Sequence, residues 1–219
     1  MKNIIFRFAL IIPLLLIVYF AIHIYYTLNG GTPWGNSAYK KEVEKYLNEK
    51  YPELDYSIES VYYSFKEMNY SAQVKTLQAE FDVTEREGYG LWDDYPLSIW
   101  TKEATALCNE ILAEHTNEAV CRMNLVGSGG LNVVNRPFPS YEEVREQLYS
   151  SFQLRVFFNK GLSEQDYELV LAIKESIEGG KISNQISFSF EDGAFFNVGK
   201  EVQTVTDLKK EAYYYEHNQ

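Results

Sequence analysis

The sequence predicts an α+β protein: a single N-terminal transmembrane helix, then a mixed helix and antiparallel-sheet region arranged as two small subdomains. Three observations carry this reading. Residues 8–28 form an apolar run without charge. Beyond residue 36, apolar residues recur in turn at steps of three or four and at steps of two, the signatures of amphipathic helices and half-buried strands. Clusters of Gly, Pro, Asn and Asp separate these segments.

The run Phe8–Leu28, FALIIPLLLIVYFAIHIYYTL, contains no Lys, Arg, Asp or Glu. At about 1.5 Å per residue it extends roughly 31 Å, which matches a bilayer hydrocarbon core. The apolar region of a signal peptide is shorter, about 7–15 residues, and ends in small residues. Here Tyr25, Tyr26, Thr27 and Leu28 stand at the far end, and no Cys near residue 29 offers a site for a lipid. The expectation is therefore a retained single-pass anchor in the cell membrane. Lys2 and Arg7 place the N-terminus in the cytoplasm and the C-terminal bulk outside it. Lys40 and Lys41 weaken that bias, and Tyr25, Tyr26 and Trp34 suit the outer interface. His23 lies near the outer edge of the run.

Asn29-Gly30-Gly31 and Thr32-Pro33-Trp34-Gly35 read as a turn-rich neck. Asn36 or Ser37 then caps a helix to about Lys50, with Tyr39, Val43, Tyr46 and Leu47 on one stripe. In LDYSIESVYYSF, Tyr56 and Ile58 share one parity while Val61, Tyr63 and Phe65 share the other. The phase change near Glu59-Ser60 predicts a bulge. YSAQVKTL and AEFDVTERE supply a second and a third strand, completing an antiparallel meander. Asp94-Tyr95-Pro96 starts a helix to about Glu114, with Leu97, Trp100, Ala104, Leu107 and Ile111 inward.

The remainder alternates between strand and helix patterns. EAVCRMNLV puts Ala119, Cys121, Met123 and Leu125 on one parity, against Val120, Arg122 and Asn124 on the other. After a break at Arg136-Pro137-Phe138-Pro139, Ser140 and Glu143 form a capping box for YEEVREQL. SFQLRVFFN reads as a strand. Ser163 and Asp166 cap a helix with Val170, Ile173 and Ile177 inward, stopped at Gly179-Gly180. QISFSFEDGAFFNV reads as a hairpin turning at Asp192-Gly193, and TDLKKEAYYYEHNQ as a short terminal helix. The expected organisation is a cytoplasmic N-terminus (1–7), the transmembrane helix (8–28), the neck (29–35), a helix–three strands–helix domain (36–115) and a second α+β domain (116–219).

NGGTPWG directly after the apolar run, then KKEVEKYLNEKYP, VYYSFKEMNYSAQV and DDYPLSIWTKEA, resemble the YfjL-like proteins of Bacillus-type Gram-positive bacteria. The resemblance covers residues 1–115; beyond them it rests on the order of elements. It implies an N-terminal anchor and an extracytoplasmic α+β domain, and it supplies no catalytic residues to carry over.

A net charge of −11 argues against nucleic acid, because phosphate binding needs clustered Lys and Arg. The three histidines, His23, His115 and His217, lack a ligand partner at helical spacing, so neither a metal nor a cofactor is expected. A nucleophilic triad would have to draw on His115. Gly127-Ser128-Gly129-Gly130 precedes a non-helical stretch without the Lys of a phosphate loop and reads as a turn. Asp93-Asp94 and Glu191-Asp192 read as a helix cap and a hairpin turn. Tyr62, Tyr63 and Phe65 form a candidate aromatic binding surface, with sheet packing as the competing role; Phe157-Phe158 carries the same alternatives. Tyr213, Tyr214 and Tyr215 read as a docked terminal helix or a docking strip. Cys108, beside the stripe of its helix, and Cys121, on the inward parity of the next strand, arrive at similar depth across a short connection. They are either bridged or two buried thiols. The functional expectation is a non-enzymatic domain binding a protein, a peptide or an envelope component. The alternatives are an accessory or regulatory subunit of a membrane complex and an envelope-acting enzyme without a recognisable motif.

Overall fold

The computed structural model describes residues 2–28, 31–32, 34–86, 88–125 and 138–214. The chain divides into two compact units, Met1–Tyr95 and Pro96–Gln219. The division falls at Tyr95 rather than at the expected residue 115. The physical reason is that the helix Tyr95–His115 gives Cys108 and Leu112 to the core of the second unit.

The first unit contains the helices α1 (Lys2–Leu28) and α2 (Gly35–Lys50). Its antiparallel sheet has the order β1 (Tyr56–Ser64), β2 (Asn69–Thr76), β3 (Glu80–Arg86) and β4 (Gly90–Asp93). Tyr39, Val43 and Leu47, at steps of four along α2, are buried. Ala72, Val74, Phe81 and Val83 are the buried apolar residues of the sheet. Ala72 pairs with Val83 and Val74 with Phe81, so the four lie on one face. The Tyr39 hydroxyl donates to the Val83 carbonyl at 3.1 Å and ties helix to sheet. The register of β1 against β2 shifts between Ile58 and Ser60, where the phase change predicts a bulge.

Two glycines of the NGGTPWG segment have a packing reason. A Cβ at Gly31 or at Gly35 would collide with the Tyr70 hydroxyl, and Gly31 also holds a left-handed φ of 79°. That hydroxyl accepts from the Thr32 backbone N–H at 3.0 Å. The expected side-chain cap of α2 is absent. The helix begins at Gly35 after Trp34, with no side-chain hydrogen bond at the cap. Asn29, Gly30 and Pro33 of the neck, and the Gly127–Gly130 turn, lie outside the described residues.

The transmembrane expectation is corrected. Among the described residues no helix is long and apolar enough to cross a membrane. The helix α1 itself is present, over Lys2–Leu28. Tyr19, His23 and Tyr25 place polar groups within it. The single-pass cell-membrane placement, with a cytoplasmic N-terminus and extracytoplasmic bulk, loses its basis with that helix.

The second unit contains α3 (Tyr95–His115), β5 (Ala119–Leu125), α4 (Tyr141–Leu148), β6 (Phe152–Phe158), α5 (Asp166–Gly179), β7 (Gln185–Ser189), β8 (Ala194–Val198), α6 (Val205–Lys210) and β9 (Ala212–Tyr214). Its five strands follow chain order, and every pair is antiparallel except β6–β7. The sheet is therefore mixed and not antiparallel throughout, because α5 serves as a crossover that returns the chain in the same direction. Cys108, Leu112, Leu154, Val156, Val170, Ile173, Ile177, Ile186, Phe188 and Phe196 form its core. Burying one such Ile or Phe side chain contributes about 1.5–3 kcal/mol. The Trp100 indole N–H, otherwise stranded in a buried ring, donates to the Pro139 carbonyl at 2.9 Å.

Helix ends follow local chemistry. The capping box of Ser140 and Glu143 is formed at α4. At the end of α5, Lys181 takes the left-handed conformation (φ 53°), while Gly180 does not. The expected terminal helix is corrected: α6 stops at Lys210, and Ala212–Tyr214 pairs with β8 as a strand. Tyr213 lies opposite Phe195, so sheet pairing prevails over helical extension.

Asp166 makes the second unit sensitive to acid. Burial raises its pKa, but hydrogen bonds from Ser163 and the Lys160 ammonium at 2.9 Å outweigh it and hold the carboxyl below the ordinary value. A carboxyl depressed by folding contributes stability above its unfolded pKa of about 3.9, and that stability is lost as pH falls through the folded value. Compared with Asp166→Asn, the wild type should show a higher urea midpoint at pH 7. The difference should shrink as pH falls below the unfolded value of about 3.9, and an undiminished difference in acid would refute the assignment.

Candidate binding face

One face of the second sheet packs against the core; the other is open. Its outward residues form three cross-strand rows, because a directly paired residue always shares the face of its partner. The middle row is Arg122–Arg155–Ser187–Asn197, aligned across β5, β6, β7 and β8. Two residues along each strand to one side lies an amide row, Asn124–Gln153–Gln185. To the other side lies a largely aromatic row, Val120–Phe157–Ser189–Phe195–Tyr213. The middle and amide rows, with Phe157 of the aromatic row, line an open concavity of about 800 Å³, which Glu201 and Glu211 also line.

The electrostatics of the middle row are unusual for this chain. Like charges directly opposite in an antiparallel pair are destabilising, yet Arg122 faces Arg155. Acids outnumber bases by 31 to 20, and lysines such as Lys50 and Lys160 are paired with carboxylates. Among the described residues neither Arg122 nor Arg155 has a carboxylate within ion-pair distance. Both guanidinium groups lie over Phe157, at 4.9 and 5.6 Å from the ring centroid, and Arg155 is also 5.6 Å from Phe195. The aromatic faces partly offset the repulsion, and both side chains are left exposed to a ligand.

Among the described residues the face carries neither a nucleophile–base pair nor a histidine. Ser187 is buried and donates to the Leu154 carbonyl at 3.3 Å. His115 lies 2.9 Å from Ser176 Oγ, joining α3 to α5 away from the face. Among the described residues no group of three His, Cys, Asp or Glu side chains could hold a metal ion. The acidic pairs have structural partners. Asp93 accepts from Tyr46, Lys50 and Tyr51, and Asp94 accepts from the Asp82 backbone at 2.7 Å. Asp192 accepts from the Ala194 backbone within its hairpin and from the Leu162 backbone outside it.

The candidate residues Tyr62, Tyr63 and Phe65 do not share one face of the first sheet. Tyr62 and Phe65 are exposed, at 47% and 66%. Tyr63 is half-buried on the opposite side of the strand from Tyr62, edge-on to Tyr70 at 4.9 Å. Phe65 lies beyond the end of β1, in the turn. Cys108 and Cys121 are joined in a disulfide with Cα atoms 6.1 Å apart. The bridge fastens α3 to β5 one residue before Arg122. The outward parity of Arg122 is visible in the sequence, but its partnership with Arg155 depends on register between segments 33 residues apart in number.

Residues 2–91 match the family description "YfjL-like, N-terminal domain". This stretch is similar to that domain. The matched stretch holds α1, α2 and the first three strands, and the match ends as β4 begins. The candidate binding face lies in the second unit, outside the YfjL-like match. Among solved structures the chain is similar to a DUF5037 family protein from Ruminococcus gnavus ATCC 29149, with 12% identity and a TM-score of 0.41, covering 81% of this chain and 82% of that one. No curated protein matches.

Proposed function

We propose that the protein is a non-enzymatic binding module whose working surface is the open face of the second sheet, its partner a protein or a peptide. The observation that carries this reading is the Arg122–Arg155 pair, two exposed guanidinium groups set side by side with no ion-paired carboxylate among the described residues. A row of cations flanked by amides on one side and aromatic rings on the other offers charge, hydrogen bonds and apolar contact on one surface. These are the elements of a specific contact patch.

The test is site-directed photo-crosslinking in cells that make the protein. A photoreactive residue replaces Tyr213, which is 58% exposed in the aromatic row, or Leu77, which is 94% exposed in the first unit. A discrete adduct is expected from position 213, and the combined Arg122→Gln/Arg155→Gln change should suppress it. Equal adducts from both positions, or no effect of the arginine changes, would overturn the reading.

A further inference from the structure

We infer that the open face takes the free C-terminal carboxylate of a peptide whose last side chain is apolar. The inference rests on the binding reading above and names its ligand. A C-terminal residue carries three groups on one tetrahedral carbon: a carboxylate, a side chain and an amide nitrogen. The face carries three matching rows. Arg122 and Arg155 form the central one, Phe157 and Phe195 stand on one side, and Asn124 and Gln153 on the other.

The spacing fits this division. Adjacent outward positions along a strand are about 6.6–7 Å apart, and paired Cα atoms across an antiparallel ladder are about 4.5–5.5 Å apart. Two guanidinium groups over a single Phe157 ring can therefore converge on one carboxylate, each offering N–H donors in the fork that planar anions accept. The carbon bearing that carboxylate is then within one side-chain length of both flanking rows. An apolar side chain would lie on the aromatic row, and the last peptide group would meet the amides.

Charge selects the carboxyl terminus over an acidic tract. The chain carries −11, and Glu201 and Glu211 line the same concavity. One carboxylate is held by two cations, but further negative charges on the ligand would approach those glutamates. A single terminal carboxylate on an otherwise uncharged chain gains the attraction without the repulsion.

The experiment uses the full chain and three short probes, with affinities measured by microscale thermophoresis. The first probe is an acetylated tetrapeptide of two glycines, an alanine and a C-terminal phenylalanine as the free acid. The second is its C-terminal amide. The third is an amidated tetrapeptide with an internal glutamate beside the phenylalanine. The free acid is expected to bind about 10- to 100-fold more tightly than the amide, the range for charge-assisted hydrogen bonds. It should also bind more tightly than the internal glutamate. Arg155→Gln and Arg122→Gln should each weaken the free acid about tenfold. Arg86→Gln should leave it unchanged, because Arg86 lies over Trp92 in the other unit. Thermal melts of the three variants show whether any loss comes from unfolding. Equal binding of acid and amide, or tighter binding of the internal glutamate or of inorganic phosphate, would overturn the inference. If the crosslink from position 213 persists while acid and amide bind alike, the ligand assignment fails and the binding reading stands; if both are lost, both fail.

Discussion

Asp93→Ala is expected to destabilise the first unit by about 3 kcal/mol, the lower end of the range for breaking a buried ion pair. The Asp93 side chain is fully buried, and the Lys50 ammonium contacts it at 2.6 Å with 13% exposure. Tyr46 donates to the same carboxylate at 2.6 Å, Tyr51 at 2.7 Å, and the Tyr95 backbone N–H at 3.2 Å. One carboxylate thus joins the end of α2, the edge strand β4 and the start of α3. Removing it leaves a sheltered ammonium without its anion and two hydroxyls without their acceptor, each carrying a desolvation cost. Lys50 also lies over the rings of Tyr46 and Tyr51, at 5.4 and 5.3 Å, and these contacts remain in the variant. They are the reason for choosing the lower end of the range. Asp93→Asn keeps an acceptor and should lose about half as much. The measurement is native-state hydrogen exchange, following β2 amides for the first unit and β6 amides for the second. Protection should fall in β2 and not in β6. A loss below about 1 kcal/mol in β2 would show that the network is incidental.

Local chemistry was readable in the sequence; pairing between distant segments was not. The stripe Tyr39, Val43, Leu47 repeats every four residues and can serve only a helix with one buried face. The bulge beside Glu59 shows as a parity change within one strand, and the capping box of Ser140 and Glu143 lies within four residues. Strand β4 escapes such reading, because Gly90–Asp93 is four residues long and draws its identity from pairing with β3. The parallel β6–β7 pair is likewise invisible, since each strand has the same internal pattern whichever direction its neighbour runs. In sequence, Tyr213 falls within the terminal helix expected of TDLKKEAYYYEHNQ. Its pairing with Phe195 decides otherwise. The candidate face follows the same rule. Arg122 and Arg155 each alternate with core residues and are legible as outward-facing, but the cationic row exists only once β5 and β6 are placed in register. Tyr62 and Tyr63 illustrate the converse, since neighbours in sequence along a strand are sent to opposite faces.

The Cys108–Cys121 bridge is expected to contribute about 3 kcal/mol to the second unit. It closes a short loop, with the two residues 13 apart in sequence, and the cost of closing a loop of that size in the unfolded chain sets the figure. Both cysteines are buried, at 0% and 4% exposure, so Cys108→Ala/Cys121→Ala leaves small apolar groups in place and isolates the crosslink from polarity. The Cys121 backbone N–H also donates to the Asn109 side chain at 2.9 Å, and this bond should survive the change. The bridge holds the edge strand β5, whose next residue is Arg122, so its loss should act twice. Unfolding monitored by exchange of β6 amides should shift by about 3 kcal/mol while β2 amides keep their protection. Exchange at Arg122 and Met123 should increase beyond that of β7, because an edge strand is paired on one side only. Reducing the wild-type protein after brief unfolding, then refolding it under a reductant, should reproduce both effects. An unchanged β6 stability in the double-alanine protein would mean that α3 and β5 are held by packing alone. An unchanged exchange at Arg122 would mean that the bridge does not position the cationic row.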